Sequence, residues 1–298
     1  MDGSAGATPA SHAPEHPPPF EVLGAACAAT PFVFASPHSG RVYPADMMDA
    51  SSLDAATIRR SEDAFVDDLV AEAPAAGIPL IAARLARAYV DLNREPYELD
   101  PAMFEDELPD FARARTARVA AGLGSIARVV AEGKEIYARK LTFAEARSRI
   151  EAAHRPYHDA LSTLVDQAHA SFGLAILIDW HSMPSAAALA EANRLRRPAD
   201  MVLGDRFGAA CAPAVTAFVE RELTALGYVV ARNAPYAGGY TTEFYGRPGR
   251  RRHALQIEIN RALYLDERTL QPNAGFEPLR AKLGQLFRAL AERWPALA

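Results

Sequence analysis

The sequence predicts an α/β fold, a largely parallel sheet covered by helices on both faces, and three observations predict it. Short apolar runs of strand length alternate with segments of helical spacing from Pro31 to Trp294, the pattern of parallel strands joined by crossover helices. Polar side chains gather just past the apolar runs: His38, Asn93 with Arg94, His181, and Glu258 late in its own run. Ligands of open α/β sheets bind in the crevice beyond the carboxyl ends of the strands, so this pattern also marks a site. Half of the 298 residues are hydrophobic and 23% are charged, which is too apolar for a disordered chain and too interrupted for membrane spans.

The elements are expected in the following order. Residues 1–19 hold five prolines, without the basic and apolar segments of a signal peptide, and are expected to be a disordered leader. His12 and His16 lie four apart in it, but the prolines oppose the helix that would put them on one face. Residues 20–298 are expected to form one domain, because no repeat or linker interrupts them. Phe32-Val33-Phe34-Ala35 reads as a buried strand ending at Ser36-Pro37-His38-Ser39-Gly40. Ile58 to Ala73 has helical spacing, with Phe65, Leu69 and Ala73 on one stripe and acids opposite. A strand is expected around Ala88-Tyr89-Val90-Asp91-Leu92, and two or three helices in the Ala-, Arg- and Glu-rich stretch from Phe111 to Ala170. Leu174 to Ile178 is continuously apolar and runs into Asp179-Trp180-His181, the clearest strand of the chain. Val215 to Leu226 reads as a helix, Tyr228 to Ala231 and Ala254 to Ile259 as strands, and Phe276 to Trp294 as an amphipathic helix.

Charge and cysteine content narrow the function. A formal charge of −5 gives no basic footprint for nucleic acid or anionic lipid. Cys27 and Cys211 can form neither a disulfide framework nor a CxxC zinc site, which points to a reducing compartment, the cytoplasm.

The chemistry-bearing residues are few. Asp179 and His181 fall on one side of an extended segment, because side chains alternate along a strand. A histidine that ligates metal needs an acceptor on its second nitrogen, and Asp179 could provide it; the alternative is a histidine hydrogen-bonded within the core. His38 follows the first strand, and Glu62 and Asp63 come near a helix start where Ser61 could serve as N-cap. Two histidines and a carboxylate form the ligand set of several catalytic zinc sites, though this spacing matches no short motif such as HExxH. Asn93 and Arg94 end a strand with an amide and a planar fork suited to a carboxylate, unless Arg94 pairs with Glu95 or Glu98. Gly238 and Gly239 hinge a loop, Pro235 to Tyr240, that could bring backbone donors to a ligand or could simply turn a corner. Glu258 is a carboxylate inside an apolar strand, costly unless paired. It reads either as a general base poised near neutrality or as a partner for Arg261 or Arg252.

Five segments taken together resemble the N-formylglutamate amidohydrolase family: Ser36-Pro37-His38-Ser39-Gly40, Asp91-Leu92-Asn93-Arg94, Asp179-Trp180-His181-Ser182-Met183-Pro184, Gly238-Gly239-Tyr240 and Leu255-Gln256-Ile257-Glu258. The resemblance implies a zinc-carboxypeptidase-like fold with three layers, α/β/α, and a central mixed sheet of about eight strands. It implies zinc, or another divalent metal, held by His38, His181 and an acid, Asp63 in preference to Glu62. Glu258 is then the general base. Arg94, with Arg87, Asn93 and the Gly238-Gly239-Tyr240 loop, is expected to hold substrate. The implied reaction is hydrolysis of N-formyl-L-glutamate to formate and L-glutamate, a step of histidine degradation, and the partner is a small N-acyl amino acid rather than nucleic acid or membrane. Deacylation of another N-acyl amino acid, carboxypeptidase-like cleavage, and a non-catalytic binding protein on the same fold are the alternatives.

Overall fold

The computed structural model describes residues 18–130, 133–189 and 197–297. The expected leader therefore lies almost wholly outside the described residues, as do His12 and His16. Seven strands form the main sheet: β1 (Phe20–Leu23), β2 (Phe32–Ser36), β3 (Leu80–Ala83), β4 (Ala175–Met183), β5 (Met201–Gly204), β6 (Val230–Arg232) and β7 (Arg252–Asn260). Their order is β1-β3-β2-β4-β7-β5-β6. The pairs β3–β2, β2–β4, β4–β7 and β5–β6 are parallel, whereas β1–β3 and β5–β7 are antiparallel. The sheet is thus mixed, with a parallel centre and an antiparallel pairing towards each edge. An eighth and a ninth strand, β8 (Leu265–Asp266) and β9 (Gln271–Pro272), pair with each other apart from it.

Period-two alternation sorts the central strands between two helical layers. Phe32 and Phe34 of β2, Ile176, Ile178 and Trp180 of β4, and Leu255, Ile257 and Ile259 of β7 share one apolar cluster. Against them pack Leu279, Leu283, Leu286, Phe287 and Leu290 of helix Phe276–Arg293, with Phe218, Val219 and Leu223 of helix Pro213–Ala225. Val33, Ala35, Ala175, Leu177 and Ala254 face the opposite layer, where helix Arg155–Phe172 contributes Tyr157, Leu161 and Val165. On that second face the side chains change character half-way along. Leu177 is followed by Asp179 and His181 on β4, and Ala254 by Gln256 and Glu258 on β7. One half of the face is core and the other half is site.

Several sequence expectations are corrected. The segment from Ile58 to Ala73 is not one helix: helix Ala55–Ile58 and a 3₁₀ turn, Arg59–Ser61, end before Glu62, and a new helix runs only over Val66–Val70. The break has tertiary causes, since the Asp63 amide donates to the His38 carbonyl and Phe65 takes a left-handed φ of 63°. Ser61 does not cap a helix; its hydroxyl donates back to the Ile58 carbonyl. The third strand is Leu80–Ala83, upstream of the expected Ala88–Leu92, whose backbone groups go to turns and to Ser125 rather than to a ladder. Among the described residues between Phe111 and Leu141 the chain is mostly turns, with a short helix at Ala117–Ala120. Helix Phe143–Arg149 then continues through a π turn, Ile150–His154, into Arg155–Phe172. A capping box starts it, Thr142 and Glu145 each bonding the other's backbone amide. The sequence reading does not expect β1 and β5, whose four residues each are too short to show a clear period. Among the described residues no helix is long and apolar enough to cross a membrane.

Candidate metal centre and cavity

Three chain segments meet where the sheet face turns polar. β2 delivers His38 in the turn just after its end, β4 carries His181 within its last turn-ward residues, and the break before Val66 delivers Asp63. All three side chains are buried. Nδ1 of His181 lies 3.1 Å from Nδ1 of His38 and 3.1 Å from Oδ2 of Asp63, and Nδ1 of His38 lies 3.4 Å from the same oxygen. Outward from this point, Nε2 of His38 meets Oδ1 of Asp91 at 2.7 Å, and Nε2 of His181 meets Oδ2 of Asp179 at 2.9 Å. Each imidazole therefore stands between an outer carboxylate and a shared inner point.

The donor chemistry at that point fits a cation. An ionised carboxylate only accepts, so Asp91 and Asp179 require a proton on Nε2 of each ring. In a neutral ring Nδ1 is then a bare lone pair. Two such lone pairs and a carboxylate oxygen converge, all three ligand atoms within 4.8 Å of one another. Three acceptors aimed at one place repel unless a positive charge joins them. The surroundings favour positive charge there, carried by a proton or a metal ion: burial works to lower the His181 pKa, yet Asp179 and Asp63 hold it well above its ordinary value. Burial likewise opposes ionisation of Asp63, but His181, His38 and Arg261 hold its carboxyl well below the usual range.

Glu62 is as buried as Asp63 but serves elsewhere. Its carboxylate accepts from the Tyr43 hydroxyl at 2.6 Å and from Nε of Arg59 at 3.1 Å. Arg261, which the sequence left as a partner for Glu258, donates instead to Oδ1 of Asp63 at 2.9 Å and to the Glu62 carbonyl at 2.8 Å. Arg252 pairs with Asp166. Glu258 is thus without an arginine partner among the described residues. It stands opposite His181 in the β4–β7 register, and Nε2 of Gln256 donates to its Oε1 at 2.9 Å. Burial above all, and the charge of Asp63, push its pKa up to about 7 against the pull of His181, Arg261 and Arg87.

A cavity of about 680 Å³ opens over the cluster. Its lining includes His38, Asp63, His181 and Glu258, and also Arg87, Asn93, Arg94, Gly238 and Gly239. Asn93 is committed to the protein: Nδ2 lies 3.1 Å from Nε2 of His181 and donates to Asp179 at 3.3 Å, and Oδ1 accepts from the Thr241 amide. With the Nε2 proton of His181 given to Asp179, the Asn93 amide acts on the ring only through Asp179, to which it donates, and is committed to the protein rather than to a ligand. Gly239 makes this possible, because a Cβ there would lie 2.5–2.7 Å from the Asn93 amide atoms. Gly238, at φ +122°, occupies backbone space that only glycine enters easily. Arg87 donates to Oδ2 of Asp91 at 2.7 Å while lining the cavity. Arg94 gives Nε to the Leu123 carbonyl and Nη1 to the Asn93 carbonyl, leaving the Nη2 end for a ligand. Tyr240 does not line the cavity; its ring packs on His158 and Phe244, and Tyr236 of the same loop faces the cavity instead. Asp91 and Gln256 were passed over in the sequence. The signal for Asp91 was available in principle, since a buried ligand histidine requires an acceptor behind it.

Fold and site together define a layered α/β protein with a mixed sheet, a His–Asp–His centre and a buried carboxylate beside it. A sequence model of the N-formylglutamate amidohydrolase family matches residues 30–265. The chain belongs to that family. It is 31% identical over 251 residues to the N-formylglutamate deformylase of Pseudomonas aeruginosa, covering 83% of this chain and 86% of that one. The N-formylglutamate deformylase of Pseudomonas putida is 29% identical over 274 residues, 89% and 95% of the two chains. The crystal structure of N-formylglutamate amidohydrolase from Ralstonia eutropha JMP134 superposes with a TM-score of 0.86 at 40% identity, covering 94% of this chain and all of that one (100%). The gene product Atu2144 from Agrobacterium tumefaciens shares the fold, with a TM-score of 0.62 at 16% identity over 93% of this chain and 95% of its own.

Proposed function

We propose that this protein hydrolyses N-formyl-L-glutamate to formate and L-glutamate with the help of a divalent cation, zinc, held by His38, Asp63 and His181. The observation that carries the reading is the convergence of three acceptor atoms on one point, with Glu258 opposite His181 on the neighbouring strand. The two curated relatives bear the name of that activity, which supports the choice of substrate.

Each residue then has a distinct task. The cation supplies Lewis-acid chemistry, polarising the formyl oxygen and making a water easier to deprotonate. Glu258 accepts the water proton on Oε2, the oxygen that Gln256 leaves open, and returns it to the departing amine. A pKa near 7 suits both halves of that transfer, and burial is what provides it. Asp91 and Asp179 fix the tautomers of His38 and His181, and Asn93 donates to Asp179 behind the second ring. Arg94 meets a substrate carboxylate with its Nη2 end, so the scissile amide is held over the cluster. The cytoplasmic setting goes with this reading; Cys211 is free and buried, and burial pushes its thiol up to about 12.

The test is release of formate from N-formyl-L-glutamate by purified protein, before and after removal of bound metal with a chelator and after zinc is restored. Turnover that survives complete metal removal overturns the metal-dependent reading. No turnover in the zinc-loaded protein overturns the substrate.

A further inference from the structure

The arginines of the cavity are not alike in their partners. Arg87 and Arg261 lie at the metal end, each against a carboxylate, Asp91 at 2.7 Å and Asp63 at 2.9 Å. Arg60, Arg94 and Arg118 also line the cavity; among the described residues Arg94 makes no ion pair, and Arg118 has only a long one, to Glu98 at 3.9 Å. Among the described residues the Arg94 guanidinium donates only to neutral carbonyls, those of Leu123 and Asn93. Two of its five N–H groups are used and three remain. Arg118 comes no nearer to a carboxylate than 3.9 Å, at Oε2 of Glu98, and the other oxygen of Glu98 is taken by the Thr116 hydroxyl. Burial above all lowers the Arg94 pKa, and the charges of Arg87 and Arg118 lower it further against the pull of Asp91 and Glu98. Among the described residues two cations thus line one void with no carboxylate closer to Arg118 than 3.9 Å.

The two are also tied together. The Leu123 carbonyl holds Nε of Arg94 at 3.0 Å, and the Leu123 amide donates to the Arg118 carbonyl at 2.8 Å. The contacts run in sequence from His181 to Asn93, to Arg94, to Leu123 and so to Arg118, leading away from the metal cluster. N-formyl-L-glutamate carries its α-carboxylate next to the scissile amide and its side-chain carboxylate at the far end. The far end is what this pair would meet.

We propose that Arg118 is a specificity-determining residue that, together with Arg94, reads the side-chain carboxylate of the substrate; the proposal rests on the hydrolase reading above. Arg94 alone has its Nε edge closed by Leu123, so it cannot present the side-on fork that usually grips a carboxylate. Arg118 supplies the second cation.

The experiment compares N-formyl-L-glutamate with N-formyl-L-glutamine, which differ only in that carboxylate. Arg118→Gln should lower the ratio of their kcat/KM values by roughly 10- to 150-fold, the scale of one lost charge-assisted contact, chiefly through KM for the glutamate compound. Arg118→Lys should recover part of the ratio by restoring the charge. A parallel loss on both substrates, or an unchanged ratio, overturns the proposal. Calorimetric binding of L-glutamate and L-glutamine to the zinc-loaded protein reads the same contact without turnover. There Arg118→Gln should weaken L-glutamate at least 10-fold more than L-glutamine. If the unmodified protein turns over neither formyl compound, the hydrolase reading fails, and this binding comparison still decides Arg118: equal weakening of both amino acids, or none, overturns it.

Discussion

His38, Asp63 and His181 carry the site through their second partners as much as through the convergent atoms. Each histidine has a carboxylate behind it, and Asp63 has Arg261. Glu62, one residue away and equally buried, is engaged by Arg59 and Tyr43. His38→Ala, His181→Ala and Asp63→Asn should each abolish stoichiometric zinc while the fold persists, because a site with three protein ligands tolerates no loss. Glu62→Gln should retain the metal. Metal analysis by mass spectrometry checks all four, and full occupancy in any of the first three removes that residue from the set. Glu258→Gln tests the base. The amide keeps the shape and cannot take a proton, so kcat should fall by about 10²–10⁴-fold with metal content unchanged. Normal turnover would return Glu258 to a structural role.

Local conformation at the element scale decides which side chains reach the cavity. The interrupted helix before Val66 is the clearest instance. Had Ile58 to Ala73 formed one helix, as its spacing suggests, Asp63 would be a mid-helix residue without its amide bond to the His38 carbonyl. The loop before helix Tyr240–Tyr245 is a second instance, because Gly239 permits Asn93 to stand against it. Gly239→Ala should displace the Asn93 amide and with it the His181 ring. Displacement on the order of 1 Å near the chemistry can cost about 10²-fold, so kcat should drop by that order in a variant that still melts cooperatively. Wild-type kcat in Gly239→Ala would show that Asn93 is not needed to orient the ring.

Across the whole molecule the two apolar layers and the cation site are coupled through β4 and β7, which supply both. Zinc would bind the folded state alone, because only the fold brings His38, Asp63 and His181 together. A ligand present at 100 times its Kd stabilises by about 2.7 kcal/mol, and at 2–4 °C per kcal/mol for a chain of this size the Tm should fall on the order of 5–10 °C on chelation. Differential scanning calorimetry with and without zinc measures it. A Tm indifferent to zinc would mean that the centre is not a metal site. The single variant His181→Ala should have little further sensitivity to chelation, since it removes both a ligand and one of the converging lone pairs.

The sequence by itself determined the α/β class, the central strands β2, β4 and β7, and the long helices that flank them. These follow from periodicity, a local property that burial of whole faces reinforces: Ile176, Ile178 and Trp180 alternate with Ala175, Leu177, Asp179 and His181 wherever the strand is placed. It also brought His38, His181 and Glu258 into view, because each stands at an apolar run's end or where a charge is costly, while Glu62 and Asp63 came into view near a helix start and through the family resemblance. Tertiary structure decided between Glu62 and Asp63, whose local signals are the same: Glu62 is held by Arg59 three residues away, and Asp63 by Arg261, 198 positions away. It decided that Asn93 serves His181, that Arg261 serves Asp63 rather than Glu258, and that the strand near residue 80 precedes the Asp91 turn instead of containing it. The physical reason is common to all of these. A backbone or side-chain polar group must find a partner once it is buried, and that partner is fixed by which segments the fold brings together, not by neighbours along the chain.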